Sequence, residues 1–333
     1  MKPSSLWSMV SIQLAQVGAL HRQNPGFREG YRYSVWHVVR LFLFLLWKGC
    51  SSNVLYQELS KSPGFRRRWR LPTRLISHSQ FKKRRGTPTF LKALLELLRH
   101  SGARALRVAG LLESRVLVTD LTRLPSDAWR DPYGAWGFDS KGLFFGYKLG
   151  LITSEHGVLL GLTLMKANWT EFHVNRKLLR MARETLEVAG ETFKVDILLC
   201  DAGFDGESTY RGAREELGAW ALCPARRRRN PKAKCARVSL SRARSQTPYR
   251  YASQLLWQAP AVRALFRKRV GIERVNGQLK DEPLRIDQMP RRRRPLCKLL
   301  ALALGRAILY NTCLIVNAQA AVPMRKIKHV WAA

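Results

Sequence analysis

A mixed α/β sheet flanked by helices, preceded by an all-helical region, is the fold class this sequence predicts. Three observations carry it. Apolar residues make up 46% of 333, enough for a normal core. From Tyr31 to about Arg104 the apolar spacing is helical. Beyond that point short apolar runs of strand length alternate with amphipathic stretches.

The elements follow in order. Residues 1–30 are weakly patterned and read as a loosely structured N-terminal arm. Residues 31–104 form a helical region. It opens with the apolar run Ser34 to Trp47, and Cys50 to Ser60 follows. The Pro63-Gly64 turn lies beside Arg66, Arg67 and Arg68, and a short helix from Thr73 ends near Lys82–Gly86. Short helices, a Pro/Gly turn and no acid between Glu58 and Glu96 suggest either a helix-turn-helix-like DNA contact or a helical cap on the main domain. Pro88 to His100 reads as a connector helix.

Residues 105–320 then read as one α/β domain. Arg115 to Thr122 is strand-like. Gly142–Thr153 and Val158–Met165 flank the turn Glu155-His156-Gly157, as a hairpin does. Glu171 to Ala189 is an amphipathic helix stopped by Gly190. Phe193–Cys200 and Ala219–Cys223 are buried strands around a helix from Glu207 to Leu217. Arg226 to Arg250 carries ten Lys or Arg and no acid, as a solvated basic loop would. A helix from about Ala261 to Lys280, the run Arg291–Arg294, a C-terminal apolar helix and a tail (321–333) complete the chain. Strand, hairpin, helix, strand, helix, strand, long helix is the order of a ribonuclease-H-like fold with a five-stranded mixed sheet.

The charge identifies the partner class. Lys and Arg number 59 against 23 acids, for a formal net charge of +36, so a polyanion such as double-stranded DNA is expected. Six scattered cysteines without a C-x-x-C pair indicate neither a disulfide framework nor a zinc site, which suits a reducing cytosol. The apolar runs Val38–Cys50 and Leu299–Val322 are broken by polar or charged residues and read as buried helices, so no membrane is expected.

Against this basic background three acids stand out. Asp120 and Asp201 each end an apolar run, and in the expected sheet those strands are parallel neighbours. Singly, either aspartate fits a turn cap. Glu273 lies in the cationic helix. At about 100° per residue it shares a stripe about 60° wide with Phe266, Arg269 and Lys280, beside an apolar face of Leu265, Ile272, Val275 and Leu279. Arg267 and Arg274 point elsewhere, to solvent or DNA. Three gathered carboxylates suit two Mg²⁺ or Mn²⁺ ions. Like charges held together raise one another's pKa when no metal is present. Lys148 is either a phosphate contact or a solvated strand residue, and Trp129, Trp136 and Trp169 either stack on bases or anchor the fold.

Four blocks together resemble the DDE transposases of bacterial insertion sequences, close to the IS4/IS5-like group. They are Val118-Thr-Asp120-Leu-Thr122, Phe145-Gly-Tyr-Lys-Leu149, Leu199-Cys-Asp201-Ala-Gly-Phe-Asp205 and Arg269-Val-Gly-Ile-Glu273-Arg-Val-Asn-Gly-Gln-Leu-Lys280. The resemblance spans roughly Val116 to Asn311. It implies that Asp120, Asp201 and Glu273 form a catalytic, metal-holding triad and that Arg269 and Lys280 hold phosphates. Phe266 replaces the family's usual Tyr, and Gly150 stands where a His usually follows Leu149. It further implies a cytoplasmic, nucleoid-associated enzyme, working as a homodimer or higher oligomer on DNA. That enzyme would bind element ends, cut a phosphodiester and join the freed 3′ end to target DNA. An inactive element-derived DNA-binding protein and a ribonuclease-H-like nuclease without strand transfer remain open alternatives.

Overall fold

Helix and strand boundaries are set by local chemistry that the computed structural model makes visible. It describes residues 5–22, 24, 27, 33–69, 71, 75–111, 115–126, 131–139, 142–190, 194–224, 244–281, 284–288, 295–323 and 327–332. Trp129, Thr73, Phe193, residues 225–243 of the basic segment and the Arg291–Arg294 run lie outside them. The chain divides into two compact units, residues 1–110 with 278–333, and residues 111–277.

The first unit is helical. α1 (Ser5–Leu20), α2 (Val35–Lys48), α3 (Ser52–Lys61), α4 (Pro63–Arg68), α5 (His78–Arg84) and α6 (Pro88–Val108) come from its N-terminal part. Ser51, Ser62, Ser77 and Thr87 each accept a backbone N–H at the start of α3, α4, α5 and α6, and proline opens α4 and α6, where its missing N–H costs nothing. Pro63-Gly64 therefore begins a helix instead of making the expected turn. The sharp bend lies earlier, where α2 and α3 meet at 108° through Gly49 at φ 64.

Residues 5–20 are not a loose arm. Leu6, Val10, Leu14 and Val17 recur every three or four residues and are buried. The intervening serines and glutamines hid that period from the sequence reading. The C-terminal apolar helix also differs from expectation. α12 (Leu296–Gln319) groups with this helical unit and packs on α1, α2 and α6, and α13 (Ile327–Ala332) covers part of it where a tail was expected. By length and composition α12 is the one described helix able to cross a membrane. Two of its polar side chains reach neighbouring helices, Asn311 lying 3.4 Å from Ser101 and Thr312 3.2 Å from Gln13. A helix apolar on every side needs neighbours on every side, which a bundle centre supplies and one sheet face does not.

The second unit contains β1 (Val116–Pro125), β2 (Ala135–Asp139), β3 (Gly142–Ser154), β4 (Leu159–Lys166), α7 (Phe172–Ala189), β5 (Ile197–Leu199), α8 (Glu207–Leu217) and β6 (Trp220–Leu222). β3 runs antiparallel to β1, β2 and β4, while β1, β5 and β6 are parallel. The order β4-β3-β1-β5-β6 is ribonuclease-H-like. β2 makes a sixth strand that sequence analysis did not assign. Its Trp136 and Phe138 are exposed, so no inward apolar pattern marks it, and Gly137 is needed because a Cβ would sit 2.4 Å from the Ala167 carbonyl oxygen. Glu216 of α8 is buried against Arg176, Arg180 and Arg183 of α7, tying the two helices together.

The expected single helix from Ala261 to Lys280 is broken. α9 (Pro248–Leu256), α10 (Pro260–Leu265), a 3₁₀ turn (Phe266–Arg269) and α11 (Val270–Lys280) follow one another. The tighter turn carries four residues of which three are basic, and it changes the direction in which Arg269 leaves the backbone.

Candidate active site

β1 and β5 pair only from Val116 to Val118 against Ile197 to Leu199. β5 then stops, Asp201 follows two residues later, and a 3₁₀ turn (Ala202–Phe204) begins. β1 does not stop. It continues along β3, so Asp120 lies within a strand instead of ending one, pairing with Leu151. Each aspartate is two residues past the last shared pair, so the split between the parallel strands places both acids at one opening. Parallel strands that diverge leave such an opening at their C-terminal ends.

The third acid arrives on α11. Its start is held by Lys268, whose Nζ lies 2.5 Å from Glu155 in the β3–β4 turn. Gly271 lets the helix pass so close to that turn that a Cβ would be 2.8 Å from the Glu155 carbonyl oxygen. Ile272 and Val275 bury the apolar side, which leaves Glu273 on the open side, 55% exposed.

Arg269 joins the three acids. Its guanidinium is 3.6 Å from Asp120, 3.7 Å from Asp201 and 2.9 Å from Glu273. Asp120 is largely buried, and burial pushes its carboxyl up to about 6; Arg269 opposes that rise and Asp201 adds to it. Asn276 donates to Asp120 Oδ2 at 2.9 Å. The sequence reading did not select Asn276. Its position one turn after Glu273 was the available signal.

Other candidate residues lie elsewhere. Phe266 is near Arg269, with the guanidinium carbon 5.9 Å from its ring, and packs edge-on against Trp257 at 4.9 Å. Arg274 is exposed next to Glu273, and Lys280 closes the same helix two turns later. Lys148 pairs with Arg123 in the β1–β3 register, so it takes the face opposite Asp120, and its Nζ donates to the Trp169 carbonyl at 3.3 Å. Trp136 and Trp169 are both exposed. His156 is 4.0 Å from Glu155, and His173 shares a hydrogen bond with Thr170 at 2.9 Å. Arg66 and Arg67 sit on α4 of the first unit, Arg67 exposed; the side chain of Arg68 is outside the described residues.

The turn bearing Asp201 is anchored from behind. Asp205 is buried, accepts from Tyr210 at 2.9 Å, and takes a two-pronged contact from Arg250 at 2.9 and 2.8 Å. Arg250, grouped by sequence with a solvated basic loop, is therefore a structural counter-ion at the start of α9. Burial pushes the Tyr210 hydroxyl well above its ordinary range, and the Asp205 hydrogen bond raises Arg250 further.

The donor set suits a hard divalent cation, because all three acids offer oxygen. Two unsatisfied polar atoms mark the same place. Asn276 Oδ1 and Arg269 Nε are both buried without a hydrogen-bond partner among the described residues, one an acceptor and one a donor. Such a pair fits a site completed by a hydrated cation and an anion.

A sheet of this order, with acids at the split of its central parallel strands, defines the ribonuclease-H-like class. Within that class the assignment is specific. A profile described as "Transposase DDE domain" matches residues 91–312 of 333, and the chain belongs to that family of DDE transposases. No curated protein and no solved structure matches the chain significantly. Membership brings transposase function, DNA as partner and the use of divalent metal ions at the level of the family.

Proposed function

We propose that the chain is an active transposase of the IS4/IS5-like group whose catalytic triad is Asp120, Asp201 and Glu273. The convergence of these three acids on one guanidinium carries the reading. Asp120 and Asp201 would hold ions from the sheet side and Glu273 from the helix side, two Mg²⁺ or Mn²⁺ ions in all. Bound there, the metal supplies activation of an attacking water or 3′ hydroxyl and charge neutralisation at the departing oxygen.

The chain's own residues do the rest. Asn276 fixes the rotamer of Asp120 through the Oδ2 contact, so the buried acid presents its other oxygen. Arg269 serves as internal counter-ion in the free protein and would contact a DNA phosphate in the complex, its buried Nε–H gaining the acceptor it lacks among the described residues. Phe266 flanks that guanidinium and offers a stacking surface but no hydroxyl. Lys280 and Arg274 would extend the contact along the backbone of the element end, whereas Lys148, on the opposite sheet face, is left out of it. In the helical unit, Arg66, Arg67 and Arg68 of α4, next to the angled α2–α3 pair, would grip DNA as a helix-turn-helix-like module in the cytoplasm. Two ends to be joined require two catalytic sites, hence a homodimer or higher assembly on DNA.

Incubation with DNA carrying the native element ends tests the proposal. Metal-dependent nicking and a strand-transfer product are expected, and both should vanish in Asp120→Asn and Glu273→Gln. Nicking without joining would reduce the protein to a nuclease, and cleavage unaffected by either substitution would overturn the triad.

A further inference from the structure

The helical unit holds a second group of potential ligands that plays no part in the chemistry above. Glu96 and His100 are four residues apart on α6, hence on one helix face. His21 lies just beyond α1, its backbone N–H still bonded to the Val17 carbonyl at 3.1 Å. One ligand atom from each of the three residues falls within 4.8 Å of the others, and His21 Nε2 is 3.8 Å from Glu96 Oε2. All three residues are half-buried.

A plain ion pair explains this arrangement poorly. At 3.8 Å the His21–Glu96 contact is beyond hydrogen-bond reach, and Nε2 is buried with no hydrogen-bond partner among the described residues. The His100 ring meets the His21 ring edge-on, centroids 6.3 Å apart, and so faces the same point. Arg99 holds Glu96 Oε1 at 2.5 Å, which leaves Oε2 turned towards the imidazole. Outer partners of that kind orient carboxylate ligands at metal centres. The His21 ring is fixed against Phe27, 4.7 Å away.

We infer that His21, Glu96 and His100 form a binding site for a first-row divalent transition metal, with zinc the fitting ion. Two imidazoles with one carboxylate suit zinc and its neighbours, whereas magnesium and calcium prefer all-oxygen shells. Tetrahedral arms of about 2.0–2.1 Å set donors about 3.3 Å apart, so closure asks for movements of about 1.5 Å or less. Three protein ligands leave one position for water. The ion would clip the chain after α1 to α6 and so hold the N-terminal helix in the bundle. Sequence spacing gave no sign of it, because His21 is remote in sequence from the other two ligands.

Zinc ion itself is the probe, added to full-length protein carrying Asp120→Asn so that the carboxylate cluster competes less. One equivalent should bind and raise Tm by about 5 °C at a hundredfold excess over Kd. His21→Gln and His100→Gln should each weaken zinc at least 100-fold and abolish the Tm rise, while their zinc-free circular dichroism and Tm stay close to the parent. Cobalt substitution in the parent gives an answer independent of those variants. A tetrahedral visible band without thiolate charge transfer is expected. No bound zinc in the parent, equal binding in the variants, or a thiolate band pointing to the cysteines would overturn the site.

Discussion

Arg269 donates to Glu273, one turn ahead of it, at 2.9 Å, while the same guanidinium lies 3.6 Å from Asp120 on the sheet. One cation thus stands among acids contributed by a strand, the turn that follows a second strand, and a helix. Without it, a largely buried aspartate would face two like charges. With it, the free protein tolerates three carboxylates gathered at one place.

Removing that internal cation should change metal and DNA binding in opposite senses. In Arg269→Gln, DNA-free protein should bind Mn²⁺ about tenfold more tightly, since a like charge within roughly 5 Å of the ions is gone. Affinity for element ends should fall. Titration by electron paramagnetic resonance reads the first effect, and unchanged or weaker Mn²⁺ binding contradicts the counter-ion role.

The raised carboxyl of Asp120 has a pH signature. Its folded value of about 6 exceeds the ordinary 3.8. The folded state therefore holds the proton more tightly, and this stabilisation is complete below pH 4 and lost as pH rises through 6. At pH 7.5 the buried charge costs about 3 kcal/mol. In chelator, Asp120→Asn should be more stable than wild type by about that amount at pH 7.5, and nearly equal to it at pH 3.8. Denaturant unfolding at both values measures the difference; a constant offset would rule out titration of Asp120 as its cause.

Asn276 acts through Asp120. Asn276→Ala should raise the metal concentration needed for half-maximal cleavage by about 10–100-fold. The rate at saturating metal should recover substantially. A loss confined to the saturated rate would instead place Asn276 against the DNA.

Arg250→Ala removes the two-pronged counter-ion of the buried Asp205 carboxylate. Because Arg250 is itself 43% exposed, the expected destabilisation is about 2 kcal/mol, less than for a fully buried pair. Calorimetry would show it, and an unchanged Tm would mean that solvent replaces the arginine.

The sequence by itself determined the acids, the order of the five principal strands and the partner's charge. Asp120 and Asp201 close apolar runs, and the blocks around them and around Glu273 are local in the chain, so linear spacing shows them. The buried stripe Ile272, Val275, Leu279 was legible for the same reason, since helical period survives in a one-dimensional string. Only the tertiary structure decided that β1 runs on past Asp120, that Arg269 leaves a 3₁₀ turn to reach all three acids, and that Asn276 belongs to the site. It also decided that α12 joins the helical unit and that His21 meets Glu96 and His100. Such pairings are fixed by which surfaces bury one another across long separations. Chain order carries almost no record of that choice.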